Sequence, residues 1–141
     1  MQVIYKTAEQ IELIRVSSLL VGDTLAEVAA CIKPGIRTID LDRIAENYIR
    51  DYNALPAFKG YHGFPASLCI SVNAEVVHGI PGNRELKEGD VVSIDCGVNR
   101  LGYFGDSAYT FVLGEPNAKV RELLQVTKQC LYAGIANAVT G

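Results

Sequence analysis

Apolar residues recur at intervals of three and four along the first third of the chain. They begin behind Thr7 and Gln10, which have the spacing of a capping box at a helix start. The pattern predicts one long helix that ends at Pro34 and Gly35. Its apolar face consists of Ile11, Ile14, Ser18, Val21, Leu25, Val28 and Ile32. Further apolar residues between these positions widen the surface, which favours packing on a globular core over a coiled coil.

A second amphipathic helix is predicted to begin at Thr38. Its inner side is formed by Leu41, Ile44, Ala45, Tyr48 and Ile49. After an irregular segment rich in glycine and aromatic residues, a strand is expected from Ser67 to Val72. The segment EVVHGIPG is expected to form a short strand and a turn, and a last helix is predicted in VRELLQVTKQCLYAGIANAV.

Two further strands, VVSIDCGV and GYFGDSAYTFV, flank a predicted four-residue loop from Asn99 to Gly102. One side of the first strand alternates into the core through Val92, Ile94, Cys96 and Val98. This loop length makes Asp95 and Asp106 direct cross-strand partners, with Cβ atoms roughly 4.5–5.5 Å apart. Helices together with an antiparallel sheet indicate a mixed α/β chain, and within that broad class the α+β type.

Two carboxylates that face each other are destabilising unless a cation or a shared proton offsets their charge. Three interpretations are open at this point. Each aspartate could be an ordinary turn or capping residue near solvent, or the two could share a proton, although the D-T-G flanks of such dyads are absent. The third interpretation is a metal site, since carboxylate oxygens bind divalent cations. Two ligands alone do not make a tight site, and further ligands are not evident in the sequence.

Composition narrows the class of protein without identifying it. The 141 residues are 49% hydrophobic and 21% charged, which is typical of one globular domain. The net charge of −3 gives no reason to expect nucleic acid as a partner, and no apolar segment is long enough to span a membrane. The N-terminal sequence lacks the apolar region of a signal peptide. Four dispersed cysteines do not fit a zinc motif, so we expect a cytoplasmic protein with reduced, buried thiols at Cys31, Cys69, Cys96 and Cys130.

Three segments closely resemble the type I methionine aminopeptidases. They are GYHGFPASLCISVNAEVVHGIPG, LKEGDVVSIDCGV and GYFGDSAYTF. The successive patterns S-V-N-x-x-x-x-H-G-I-P, G-D-x-x-x-x-D and G-D-x-x-x-x-F are together far more specific than one short motif. The resemblance extends from about Thr7 to the end of the chain and is densest from Gly60 to Phe111.

The resemblance implies the pita-bread fold, in which two similar halves enclose a dinuclear metal site. This chain would be roughly the N-terminal half, with two long helices, an antiparallel sheet and the start of the second repeat. A faint internal match agrees, because the shift that aligns Leu25 with Leu131 also aligns Gly35 with Gly141. We therefore expect a single domain over residues 1–141, with a first repeat at about 7–115 and a second that begins at about 117. The complete enzyme is expected to continue beyond this sequence.

Carried over residue by residue, the resemblance also implies a site. Asp95 would chelate one metal ion, Asp106 would bridge two, and His78 would donate a hydrogen bond to the substrate backbone. Positions near the pocket for the methionine side chain are matched by Tyr61, Phe64 and Cys69, with His62 beside them. Many members of the family have a small residue, often Cys, where this chain has Phe58. The phenyl ring is therefore expected to reshape the rim of the pocket.

The implied reaction is removal of the initiator methionine from nascent polypeptides by dinuclear-metal-assisted hydrolysis. The metals would be Co, Mn, Fe or Zn, and the ribosome is a further candidate partner. The family's other three ligands, one His and two Glu, belong to its second half. We therefore expect this chain alone to be inactive and to bind metal weakly or not at all. Two alternatives are a non-catalytic pita-bread protein that binds a peptide or partner, and a pita-bread peptidase with another specificity, such as proline-directed cleavage.

Overall fold

The computed structural model describes residues 4–140, which form three α-helices and one four-stranded antiparallel sheet. The helices are α1 (Ala8–Cys31), α2 (Thr38–Asp51) and α3 (Ala118–Asn137). The strands are β1 (Leu55–Pro56), β2 (Leu68–Val72), β3 (Val91–Arg100) and β4 (Tyr103–Val112). Strand β3 is central, because β4 pairs along one of its edges while β1 and β2 pair along the other. This is the α+β arrangement that the pattern predicts.

The capping box at the start of α1 is confirmed. The side chain of Thr7 accepts a hydrogen bond from the backbone N–H of Gln10 at 3.3 Å, and the side chain of Gln10 accepts one from the N–H of Thr7 at 2.9 Å. These contacts satisfy two donors that an isolated helix start leaves unpaired. The helix ends at Cys31, shortly before Pro34.

The buried face of α1 differs in part from the prediction. Ile11 and Ser18 are exposed, whereas Ser17 is fully buried. The hydroxyl of Ser17 donates to the carbonyl of Tyr103 on β4 at 2.9 Å, which accounts for a polar residue in this position. The helix lies very close to β4, since a Cβ atom on Gly105 would be 2.6 Å from the Cα of Ser18.

The core lies between the two first helices and one face of the sheet. Helix α2 contributes fully buried side chains at Leu41, Ala45 and Ile49, with Ile44 and Tyr48 packed at the edge of the cluster. Strand β3 alternates as predicted, and the side chains on its inner side have no solvent exposure: Val92, Ile94, Cys96 and Val98. We call this side of the sheet the core face. Burial of this kind contributes about 25 cal/mol per Å² of apolar surface.

The predicted register of the hairpin is wrong. Gly97 pairs with Asp106, and Asp95 pairs with Ala108, so the two aspartates are diagonal neighbours rather than direct partners. The cause is the turn, which consists of Leu101 and Gly102 with φ of 55° and 82° instead of a four-residue loop. Two-residue hairpin turns require positive φ, and leucine is an unusual residue for that conformation. The correction keeps both aspartates on the same face of the sheet, because the pairs are two residues apart.

Two smaller expectations also need correction, and a third concerns a residue outside the described part of the chain. Residues 75–82 contain no strand, since EVVHGIPG runs as an irregular segment alongside β2. All four cysteines are free thiols, but only Cys69 and Cys96 are buried, whereas Cys31 is half-buried and Cys130 is exposed. Gly141, which the internal match aligns with Gly35, lies outside the described residues.

Helix α3 has no buried residue, unlike α1 and α2. It begins behind Asn117, whose side chain accepts a hydrogen bond from the N–H of Val120 at 3.0 Å. Five of its large apolar side chains are between 47% and 64% exposed: Leu123, Val126, Leu131, Tyr132 and Ile135. None of the helices within residues 4–140 is both long and apolar enough to cross a membrane.

Candidate functional site

The side of the sheet opposite the core face carries polar and small residues, and we call it the pocket face. Asp95 lies at its centre, with Cys69 of β2 on one side and Ala108 of β4 on the other. The next pair along β3 and β4 is Gly97 with Asp106. The alternation that buries one set of β3 side chains places Asp95 on the pocket face. Because Asp106 pairs with Gly97, two residues from Asp95, its carboxylate lies on the same face.

An open pocket of about 570 Å³ lies against this face. It is lined by Phe58, Tyr61, His62, Gly63, Phe64, Pro65, Cys69, His78, Ile80, Asp95 and Asp106. Every residue that the sequence analysis proposed for the site is in this set. The structure thus brings the proposed residues together, while their individual roles stay predictions. Gly63, Pro65 and Ile80 are lining residues that the sequence analysis did not single out.

The carboxyl group of Asp95 is affected by its burial and by its neighbour Asp106. Burial raises the pKa of Asp95 to about 6, and the charge of Asp106 and a hydrogen bond with it add to the increase. The positive charge of His78 and the backbone N–H of Cys96 act in the opposite direction. Two carboxylates held together in a partly desolvated pocket favour binding of a proton or a cation.

This arrangement fits part of a divalent metal site. Asp95 and Asp106 offer oxygen ligands, which hard and borderline divalent ions prefer, and their mutual repulsion is relieved by a cation. Within residues 4–140, however, no group of three or more His, Cys, Asp and Glu side chains lies close enough together to hold a metal ion. A tight catalytic site uses at least three protein ligands, so these two aspartates alone would not complete one.

Aromatic side chains form one wall of the pocket. The ring of Phe58 lies directly over the backbone of Gly97, where a Cβ atom would come within 2.5 Å of the ring. The backbone just before Phe58 is held to the same residue, since the N–H of Ala57 donates to the carbonyl of Gly97 at 2.8 Å. Tyr61 and His62 pack edge to face, with ring centroids 4.3 Å apart. The space beside the carboxylates is therefore bounded by apolar surface.

Cys69 lines the pocket and pairs with Asp95 across the sheet. Burial raises the pKa of its thiol to about 11, and the charges of Asp95 and Asp106 add to the increase. A thiol with this pKa stays protonated at neutral pH, and the thiolate is the reactive nucleophile. The raised pKa therefore favours a protonated thiol that lines the pocket over a nucleophile.

The supporting contacts around the pocket were not found from the sequence. The buried carboxylate of Asp42 on α2 accepts hydrogen bonds from the N–H groups of Ser67 and Leu68 at 2.9 and 2.8 Å. These contacts fix the start of β2, directly before Cys69. Burial raises the pKa of Asp42, although the two backbone N–H groups oppose the increase. An acidic residue in an amphipathic helix ordinarily indicates a solvated face, so the pattern gave no signal of this role.

Comparison with known proteins gives a consistent result. The sequence profile of metallopeptidase family M24 matches residues 12–141. The methionine aminopeptidase of Clostridium acetobutylicum is 49% identical over 140 residues, which are 99% of this chain and 56% of that relative. The structure of methionine aminopeptidase from Thermotoga maritima superposes with a TM-score of 0.95 at 36% identity, covering 99% of this chain and 57% of that one.

A prolidase from Pyrococcus furiosus is more distant. Its structure matches with a TM-score of 0.75 at 24% identity and covers 89% of this chain and 36% of that one, which indicates a shared fold. The pita-bread architecture is thus common to these structures. This chain spans just over half the length of the curated relatives it matches. By its sequence and by its structure, the chain belongs to metallopeptidase family M24.

Proposed function

We propose that this chain is the N-terminal half of an aminopeptidase that removes the initiator methionine from nascent polypeptides. The main support is the convergence of His78, Asp95, Asp106 and the aromatic residues on one pocket. The similar proteins from Clostridium acetobutylicum and Thermotoga maritima are both methionine aminopeptidases. Retention of both carboxylates and of His78 favours a catalytic protein over a non-catalytic binding protein with the same fold.

Asp95 and Asp106 would hold the divalent metal ions. When bound, Co, Mn, Fe or Zn would supply Lewis acidity toward the scissile carbonyl group. The same ions would also relieve the repulsion from Asp106 that, in addition to burial, raises the pKa of Asp95. The remaining ligands, one His and two Glu by resemblance, would come from the rest of the enzyme.

The apolar wall would bind the methionine side chain. Phe58, Tyr61, Phe64 and Ile80 surround a space next to the carboxylates, and protonated Cys69 adds a small polarisable surface. Methionine is unbranched and flexible, and its thioether makes favourable contacts with aromatic rings. An N-terminal methionine in this pocket would place its own carbonyl group beside Asp95 and Asp106.

His78 would bind the substrate backbone. It lines the pocket close enough to Asp95 for its charge to affect the pKa of that carboxyl group. An imidazole N–H at this position would donate a hydrogen bond to the substrate carbonyl oxygen as negative charge develops there. Removal of one such donor typically costs 10²–10³-fold in kcat.

The division into halves is supported by helix α3. Most of its apolar side chains are exposed, and the shift that relates the two sequence repeats also relates the ends of α1 and α3 at Cys31 and Asn137. We place the first repeat at about 7–115 and the start of the second at about 117. The second half would cover the exposed side of α3. A cytoplasmic location and action on chains that emerge from the ribosome follow from this function as further proposals.

A joined protein tests the proposal. It consists of residues 1–141 followed by the portion of the Clostridium acetobutylicum relative that lies outside the match. We expect it to release methionine from a peptide that begins Met-Gly when Mn²⁺ or Co²⁺ is supplied. We expect no release from residues 1–141 alone or from the joined protein with Asp95→Asn. Absence of release by a folded joined protein would contradict the proposed function.

A further inference from the structure

His78 adopts an unfavourable backbone conformation. Its φ is 58°, in the left-handed region that residues with a Cβ atom seldom occupy, and it lies in an exposed segment. An exposed residue in this conformation would be expected to relax unless its neighbours hold it. Strained residues of this kind persist where the surrounding structure fixes them.

The residue that follows, Gly79, is held through both of the peptide groups that flank it. The N–H of Gly79 donates to the hydroxyl of Ser71 at 3.1 Å, and the carbonyl of Gly79 accepts from the N–H of Ile70 at 2.8 Å. The approach is so close that a Cβ atom on Gly79 would lie 2.2 Å from the carbonyl oxygen of Ile70. Gly79 is therefore required here because it has no side chain, and its φ is not positive.

The anchor for this contact, Ser71, is a buried residue of a paired strand. Ser71 is 4% exposed and pairs with Ser93 in the middle of the sheet. Its side chain is on the pocket face, because it is two residues from Cys69, which pairs with Asp95. The hydroxyl of Ser71 thus reaches from the sheet to the loop on the same side as the carboxylates.

We propose that Ser71 is a positioning residue for His78. By accepting a hydrogen bond from the N–H of Gly79, its hydroxyl holds the His78–Gly79 peptide against β2 and keeps the imidazole over the pocket. The inference deepens the proposed function and rests on it for the role of His78. Ser71 does not itself line the pocket, so its effect is transmitted through the loop.

The first test uses residues 1–141 and needs no activity. Amide hydrogen exchange of Gly79 is measured by NMR in the unmodified chain and in Ser71→Ala. Loss of one hydrogen bond is expected to speed this exchange roughly five- to ten-fold, from a typical net contribution near 1 kcal/mol. Ser71→Thr, which keeps a hydroxyl group, is expected to restore the slow exchange. Unchanged exchange of Gly79 in Ser71→Ala would overturn the inference.

The second test uses the joined protein. Ser71→Ala is expected to lower kcat roughly five- to ten-fold with little change in KM. The reason is that a correspondingly smaller fraction of the molecules would hold His78 in its correct place. In a His78→Ala background the substitution is expected to have no further effect on kcat, since the two residues act as one unit. A full further loss of kcat in that background would overturn the inference, because it would indicate a general structural role.

Ser17→Ala is the matched control. Ser17 is also a fully buried serine whose hydroxyl bridges two elements, but it lies between α1 and β4 on the core face. Its removal is expected to lower stability and to leave both Gly79 exchange and kcat unchanged. If the unmodified joined protein releases no methionine, the proposed function fails, whereas the exchange measurement still decides whether Ser71 fixes the loop.

Discussion

The two faces of strand β3 differ in the burial and in the charge of their side chains. On the core face, the side chains of Val92, Ile94, Cys96 and Val98 have no solvent exposure. On the pocket face, Asp95 lies one residue from Ile94 and has a carboxyl group with a pKa raised to about 6. The core face minimises free energy by excluding water from apolar groups. The pocket face holds two like charges together, which costs stability in the absence of a cation.

This difference in burial and charge indicates that the core face stabilises the fold, whereas the pocket face is suited to binding or reaction. A pair of carboxylates in a partly desolvated pocket is retained at the expense of stability, which is typical of sites that bind or react. Substitutions on the two faces are therefore expected to separate stability from activity. The core face should respond mainly in stability and the pocket face mainly in activity.

The largest expected effect is on activity, from Asp106→Asn in the joined protein. Loss of a carboxylate that we propose to hold the metal ions should lower kcat/KM at least about a thousand-fold, since metal assistance contributes several kcal/mol to transition-state stabilisation. Ser107→Ala, one residue along β4 on the opposite face, should leave kcat/KM essentially unchanged. Steady-state methionine release measures both. Equal losses in the two variants would contradict the separation of the faces.

The next effect is on stability, from Ile94→Ala in residues 1–141. Removal of a fully buried side chain should lower the free energy of unfolding by about 2–5 kcal/mol. Asp95→Asn, at the adjacent position, should not lower it, because the substitution removes a partly desolvated charge. Urea unfolding monitored by circular dichroism measures both. A large loss of stability in Asp95→Asn would place that carboxylate in a structural role.

A smaller effect is expected at the aromatic wall. Gly97→Ala would bring a Cβ atom within 2.5 Å of the ring of Phe58, so the ring must move. Overpacking of this kind costs about 1–3 kcal/mol. In a Phe58→Ala background the same substitution should cost much less. A double-mutant cycle from urea unfolding measures the coupling, and additive free energies would show that the ring does not rest on Gly97.

The smallest effect is the dependence of stability on pH. The pKa of Asp95 is raised in the folded chain, so the folded state binds more protons than the unfolded state between about pH 4 and pH 6. Without metal, the free energy of unfolding of the unmodified chain relative to Asp95→Asn should therefore fall as the pH rises through this window.

Glu46→Gln provides a control of opposite sign. The ammonium group of Lys59 and the guanidinium group of Arg50 lower the pKa of Glu46, although burial opposes them. Relative to Glu46→Gln, the unmodified chain should therefore become more stable as the pH rises from below the folded pKa of Glu46 toward its ordinary value. Urea unfolding at several pH values in the presence of a chelator measures both differences. The same sign for both variants would contradict the burial of Asp95 beside Asp106.

The sequence predicted the core face more completely than the pocket face. Alternation along β3 and the spacing in α2 are direct consequences of burial, so both were predictable. The exception was α1, where the prediction placed Ser18 on the buried face. Ser18 is exposed, and Ser17 is buried instead because its hydroxyl donates to the carbonyl of Tyr103. The capping box at Thr7 is a local contact and was also predictable.

The residues that line the pocket were predictable only through the resemblance. The geometry in which they are arranged was not predictable. The register of Asp95 and Asp106 depends on a two-residue turn in which Leu101 adopts positive φ, and nothing in the residue type indicates that conformation. The support from Ser71 to Gly79 joins an irregular segment to a strand, and such contacts leave no periodic pattern in a sequence.

The most direct test of this account is the number of divalent ions that the joined protein binds. Isothermal titration with Mn²⁺ should show two ions per molecule, and the double variant Asp95→Asn/Asp106→Asn should lose both while remaining folded by circular dichroism. Undiminished binding of two ions by the double variant would contradict the claim that the pocket face of β3 and β4 exists to hold metal.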